Sequence, residues 1–256
     1  MIARYKEAAV FYTVTGTGAP VVLLHGFLET SSMWQEVVPY LSASHSVICI
    51  DLLGHGKTEC VGYVHRMEEM AQAVCAVLDV LSIERAAFVG HSMGGYVALA
   101  LAALKPTMVT ALCLVNSTSS PDSEARKNVR DRASKTAKRN YPLLVKTSID
   151  QLFDTAGKKR FNAQIQQLCK EALDMGVRGY IAANEGMKLR ENTSRVFSEV
   201  PRKLMVFSKA DTVLCSNRLQ AEAAEVQAAV TELEGGHMSV IEHPKLITEL
   251  IYNFLK

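Results

Sequence analysis

Five short, continuous apolar runs constrain this chain more than any other feature of it. Residues 21–24 stop at His25-Gly26, 47–50 at Asp51, 86–89 at Gly90, 109–115 at Asn116, and 204–207 at Ser208-Lys209. Runs this short and this uniformly apolar offer no face to water, so each reads as a strand buried on both sides. Stretches of helical length separate them. In 67–81, apolar Met67, Met70, Val74, Val77, Leu78 and Leu81 recur with the spacing of one helix face. Strands of this kind alternating with helices predict a doubly wound α/β fold around a mostly parallel sheet covered on both faces. A chain of 256 residues can hold one large core, or a core carrying an insertion.

The rhythm stops between Asn116 and Val200. Residues 117–200 contain no convincing strand, are rich in polar helix formers (161–173, for example), and hold 16 Lys+Arg against 10 Asp+Glu. The expected organisation is therefore a core of 1–116 and 201–256 with a helical cap, 117–200, over the sheet edge where ligands bind.

Composition excludes several classes. The chain is 48% hydrophobic and 21% charged, as ordinary globular proteins are. The net charge of +2 argues neither for nor against a nucleic-acid partner, and none is expected. The first ten residues include Arg4, Lys6 and Glu7 and lack the apolar stretch of a secretory signal. No apolar run approaches the roughly 20 residues that span a bilayer, so no membrane partner is expected either. Six scattered cysteines without a C-x-x-C pair fit a reducing cytoplasm and offer no metal site.

The chemistry centres on Gly90-His91-Ser92-Met93-Gly94, followed by Gly95. This is G-x-S-x-G with a strand before it and a helix, 96–104, after it. A sharp strand-to-helix turn holds such a serine in a strained conformation, needs glycine where the chain passes close to itself, and pushes the hydroxyl out above the sheet. A serine hydroxyl needs a base. His237 follows Gly235-Gly236 beyond the strand-like segment 229–233, on a loop able to reach the serine. His243, in Glu242-His243-Pro244, reads instead as the start of the final helix. The acid should stand at a strand end between serine and histidine. Asp211, just past 204–207, meets this, whereas its rival Asp122 lies several residues beyond its strand. The backbone N–H groups of Phe27 and Met93 would then point at a tetrahedral oxyanion, with His25 a hydrogen-bonded turn residue. Asp51-Leu52-Leu53-Gly54-His55-Gly56-Lys57-Thr58 satisfies no phosphate-loop pattern and reads as a tight structural loop. A helix is expected around 33–41.

Together, His25-Gly26-Phe27, Asp51-x-x-Gly54-His55-Gly56, Gly90 to Gly95, Asp211 and Gly236-His237 resemble the α/β-hydrolase superfamily in content and order. The resemblance implies eight strands, mostly parallel, a helical lid between the sixth and seventh, and chemistry without cofactor or metal. Serine at position 92 separates the chain from the haloalkane dehalogenase and epoxide hydrolase branches, which use aspartate there. It looks most like small hydrolases such as carboxylesterases, carrier-protein methyl-ester esterases and the menaquinone-pathway lyase. The expected reaction is hydrolysis of a small-molecule ester or thioester through an acyl-Ser92. The same triad also serves an elimination or C–C cleavage, and a low-turnover receptor can retain it. The basic run Arg126, Lys127, Arg130, Arg132, Lys135, Lys138 and Arg139 suits either a solvated helix face or attraction of an anionic or carrier-linked substrate. Trp34, Leu143, Leu144, Ile149, Phe153 and Met187 are candidates for the acyl pocket and equally for ordinary core. Nothing in the sequence speaks to oligomeric state.

Overall fold

A computed structural model describes all 256 residues. Its eight strands are β1 (Ile2–Tyr5), β2 (Ala8–Thr15), β3 (Ala19–Leu24), β4 (His45–Ile50), β5 (Ala86–His91), β6 (Val109–Val115), β7 (Lys203–Ser208) and β8 (Ala229–Leu233), in the sheet order β1-β2-β4-β3-β5-β6-β7-β8. The pairs β1·β2 and β2·β4 are antiparallel and the rest parallel. The two leading strands escape a search for apolar runs because β2 alternates buried with half-exposed residues, the signature of a sheet edge wet on one side.

Eleven helices surround the sheet. They are α1 (Val38–Leu41), α2 (Met67–Val80), α3 (Met93–Leu104), α4 (Glu124–Arg139), α5 (Tyr141–Asp150), α6 (Thr155–Arg160), α7 (Asn162–Lys188), α8 (Ser194–Glu199), α9 (Ser216–Val226), α10 (Ser239–Glu242) and α11 (Pro244–Leu255). The pleat sorts the central strands between two apolar layers. Val22, Leu24, Ile48, Ile50, Phe88, Leu112 and Leu114 face α2, α3, α8 and α9. Their neighbours Val21, Leu23, Val47, Cys49, Ala87, Val89 and Cys113 face Trp34, Leu41 of α1 and Ile247 and Ile251 of α11. Period-two alternation into two separate cores is why each run must be apolar throughout. Burial pushes the Cys49 thiol up to about 12 and raises Cys113 as well, so both sulfurs behave as small hydrophobes.

One helix differs from expectation. Residues 33–41 form a 3-10 turn, Ser31–Trp34, and the single turn α1. Pro39 has no N–H to give to a carbonyl one turn back, and its ring collides with that carbonyl, so a continuous helix cannot run through it. Between β6 and β7 lie α4 to α8 with no strand. α7 absorbs the predicted 161–173 and breaks at Gly176 (φ 74°, ψ 165°). Ala137, Tyr141, Val145, Ile149, Ile165, Leu168 and Tyr180 from α4, α5 and α7 form a third apolar cluster, closed by Leu28 and Met238 of the core. Phe197 of α8 packs with the main core instead. No helix is long and apolar enough to cross a membrane.

Candidate active site

The loops after β3, β5, β7 and β8 meet at the carboxyl edge of the parallel strands, where open α/β sheets place their ligands. Ser92 caps α3 with φ 48° and ψ −114°, a region other residues than glycine avoid. The strain is held by close packing. A Cβ on Gly94 would sit 2.3 Å from the Leu24 carbonyl oxygen, so only glycine lets α3 start this near β3. Leu28 (φ 68°) and Asn116 (φ 44°) share the unusual backbone. Both flank the same site, the clustering expected where strain serves a function.

The Ser92 hydroxyl donates to His237 Nε2 at 2.9 Å, and His237 Nδ1–H donates to Asp211 Oδ2 at 2.7 Å. Asp211 Oδ1 accepts the N–H groups of Val213 (2.8 Å) and Leu214 (3.0 Å), and Oδ2 also accepts Asn116 Nδ2–H at 3.0 Å. The carboxylate is fully buried. Burial alone would raise its pKa, but His237 beside it and these donors hold it below the usual carboxylate range. The His237 main chain is fixed by its N–H donating to Leu152 O at 2.8 Å. A Cβ on Gly236 would meet that same Leu152 oxygen at 2.6 Å, so the glycine is what admits the segment after α5 against the histidine loop.

The Phe27 and Met93 amides donate to no protein acceptor. Their directions are set one peptide plane back. In a trans peptide, C=O and the following N–H point opposite ways, so anchoring a carbonyl aims the next amide. The Gly26 carbonyl accepts from His25 Nδ1–H at 2.7 Å, a tautomer fixed because Nε2 accepts Leu52 N–H at 2.9 Å. The Ser92 carbonyl accepts Gly95 N–H at 3.0 Å and the Ser117 hydroxyl at 2.7 Å. Burial holds His25 below its ordinary pKa, which keeps it in this neutral form. His25 is thus a turn residue whose bond aims Phe27.

Beneath His237 lies a pair the sequence did not single out. His91 Nδ1 is 2.9 Å from Glu29 Oε2 and its Nε2 is 3.0 Å from the His237 carbonyl. Glu29 also accepts Gly26 N–H at 2.6 Å. A carbonyl only accepts, so Nε2 carries hydrogen, and Nδ1 facing a carboxylate carries one too. Burial opposes charge on both groups, yet their mutual attraction raises His91 and lowers Glu29, the signature of a buried ion pair. Its signals were faint. His91 is the variable position inside G-x-S-x-G, and Glu29 follows Gly26 by three residues. Asn116 stands out in the sequence only as the residue that ends a strand.

Other candidates fall elsewhere. Asp122 is buried in ion pairs with Arg130 and Arg190. His243 precedes Pro244 at the start of α11 and bonds Glu234 O at 2.8 Å. Asp51 closes its own loop by accepting Lys57 N–H and ties it to the loop after β3 by accepting Ser31 N–H. Above Ser92 is a cavity of about 690 Å³ lined by residues of the segment between β6 and β7, including Phe153, Tyr180 and Met187. Of the acyl-pocket candidates, Trp34 is wholly buried in the core layer facing α11, Ile149 lies inside the helical cluster, and Leu143 is exposed. No group of three or more His, Cys, Asp and Glu side chains is placed to hold a metal ion.

A model of the alpha/beta hydrolase fold family matches residues 19–180. The chain is 28% identical over 242 residues to the dihydrolipoyllysine-residue acetyltransferase component of the acetoin cleaving system of Pseudomonas putida, covering 93% of this chain and 64% of that protein. It therefore spans less than two thirds of that relative's length. It is 25% identical to 3-oxoadipate enol-lactonase 1 of Acinetobacter baylyi over 100% of this chain and 96% of the other. Among solved structures, a thermophilic esterase from Thermogutta terrifontis, determined with malate bound, superposes with a TM-score of 0.91 at 26% identity, covering 97% of this chain and 93% of that one.

Proposed function

The chain belongs to the alpha/beta hydrolase fold family, and from that premise we propose that it is a serine esterase cleaving a small-molecule carboxylic ester through an acyl-enzyme on Ser92. The observation that carries the reading is the unbroken line from Ser92 Oγ through His237 to Asp211, beside two amides with nothing else to bind. The similarity to an esterase and a lactonase over nearly their whole lengths supports ester hydrolysis.

In this reading His237 Nε2 takes the Ser92 proton as Oγ attacks the ester carbonyl. Asp211, held ionised, fixes the tautomer that leaves Nε2 free and stabilises the imidazolium. The oxyanion is received by Phe27 and Met93 N–H, the second at the N-terminus of α3; one such donor is worth about 3–4 kcal/mol in the transition state. His237 returns the proton to the leaving alcohol. Water then adds to the acyl carbon, its proton passing to His237 and back to Ser92. The helices between β6 and β7 act as a cap that shapes the cavity.

Ser92→Ala tests this. It should abolish both ester turnover and fluorophosphonate labelling, and mass spectrometry of the wild type during turnover should find the acyl group on Ser92. Labelling that persists in the variant, or turnover with no acyl-Ser92, would sink the reading.

A further inference from the structure

Three cationic side chains, Arg126, Arg130 and Lys158, line the cavity above Ser92. They differ in what holds them. Arg130 donates from Nε to Asp122 Oδ2 and from an Nη to Asn184 Oδ1 at 3.3 Å. Arg190, packed behind, donates to Asp122 Oδ1 at 2.7 Å, to Met187 O at 3.0 Å and to Ser120 O at 3.2 Å, with its guanidinium 4.0 Å from the Tyr96 ring centroid. Each oxygen of Asp122 is therefore engaged by one arginine. These two show what a structural arginine looks like in this protein: enclosed, ion-paired and hydrogen-bonded.

Arg126 has none of that. It sits one turn before Arg130 on α4, half-buried; its main-chain N–H bonds the capping Ser123 Oγ at 3.3 Å, but its guanidinium has neither a hydrogen bond nor an ion pair, and both oxygens of Asp122 are engaged by Arg130 and Arg190. Burial, and then the nearby charges of Arg130 and Arg190, push its pKa down, so the free protein holds this cation under electrostatic stress. Neither of the two carboxylates that line the cavity, Glu29 and Asp154, is bonded to Arg126. Glu29 accepts from Gly26 and His91, and Asp154 accepts Gly157 N–H. Lys158 is unpaired too but exposed, so water already solvates its charge. An anion entering the cavity would meet one guanidinium with its whole donor fork unused, a geometry suited to a carboxylate.

We propose that Arg126 is an anion subsite of this cavity and that the ester cleaved at Ser92 carries a free carboxylate that binds there. The inference rests on the esterase reading and adds the substrate class: monoesters of dicarboxylic acids, or esters with a carboxylate on the alcohol side. The substrate's carboxylate would relieve the repulsion among the three arginines as it binds, and so orient the ester toward Ser92.

The test compares kcat/KM for 4-nitrophenyl hemiesters of succinic, glutaric and adipic acids with neutral counterparts in which a dimethyl-branched end replaces the carboxylate. At one chain length the wild type should prefer the hemiester by roughly 10- to 100-fold, the range a hydrogen bond to a charged group gives. In Arg126→Met that ratio should fall to about one. Arg126→Lys should retain part of it, and Lys158→Met most of it. A wild-type ratio near one, or a ratio unchanged in Arg126→Met, overturns the proposal. Thermal denaturation supplies the structural control. Removing an unpaired cation should leave the midpoint unchanged or raise it, and a lowered midpoint would make Arg126 a fold-holding residue and overturn the subsite. If no ester is turned over and Ser92 takes no fluorophosphonate, the esterase reading has failed instead. Calorimetric titration of glutarate then decides the subsite. Binding that weakens tenfold or more in Arg126→Met upholds it, and binding that is absent or equal in both proteins overturns it.

Discussion

The buried pair under His237 makes a stability prediction with a definite sign. In Glu29→Gln an amide oxygen in the same place can still accept Gly26 N–H, but it no longer offsets charge on the imidazole, and a neutral His91 has a single N–H for two acceptors, that oxygen and the His237 carbonyl. One buried contact then loses its hydrogen, which costs about 1–3 kcal/mol. The second effect depends on pH. In the wild type the folded pKa of His91 is raised above its unfolded value of about 6.5. Folding therefore binds a proton, and the stabilisation is fully present below 6.5 and lost as pH rises through the folded pKa. Glu29, whose folded pKa is lowered, contributes above its unfolded value and loses that contribution only as pH falls through the lowered one. Without the carboxylate, burial dominates at His91 and its folded pKa drops below 6.5. The variant then loses up to about 1.4 kcal/mol per pH unit as pH falls beneath 6.5, because only its unfolded state takes up the proton. The stability gap between the two proteins should thus widen from pH 8 to pH 5.5, a range that stays above the unfolded carboxylate pKa. Trp34, the chain's one tryptophan and wholly buried, reports urea unfolding of both proteins at each pH. All other titrating groups are common to both and cancel in the difference. A gap that stays constant or narrows toward pH 5.5 would show that His91 is not held as an imidazolium.

Two further substitutions probe the histidine loop. Asp211→Asn keeps the shape of the site but offers His237 Nδ1 an amide in place of the carboxylate, so kcat for ester hydrolysis should fall by about 10⁴ with KM little changed, the usual cost of the wrong tautomer; a loss below about tenfold would remove Asp211 from its assigned role. Gly236→Ala puts a Cβ 2.6 Å from the Leu152 carbonyl, so the segment after α5 must withdraw from the His237 N–H; kcat should drop and urea unfolding should show a loss of about 1–3 kcal/mol, whereas wild-type values in both assays would mean that the contact is dispensable.

What the sequence revealed and what it concealed divide along a physical line. The parallel strands were legible because burial on both faces leaves only apolar residues, and their alternation into two cores needs no partner to be identified. Ser92, His237 and Asp211 were legible because each stands at a strand end in a fixed chain order, with glycines where the backbone crowds itself. The antiparallel β1 and β2 were not, since a strand wet on one face looks like much of a protein surface. Residues 33–41 differ from the helix expected there, although Pro39, with no N–H to give, already marks where a continuous helix must stop. The hardest to see was the fate of charge. Arg126 and Arg130 stand one helical turn apart in a single basic run, and spacing gives no reason to treat them differently. Only the fold brings Asp122 and Arg190 beside them, lets Asp122 satisfy two guanidinium groups, and leaves the third without a counterion in a cavity over the serine. A charge run reads as one solvated face until each charge has been matched to its partner. Arg126, the arginine of that run that lines the cavity without a partner, is where the proposed preference for an anionic ester has its physical origin.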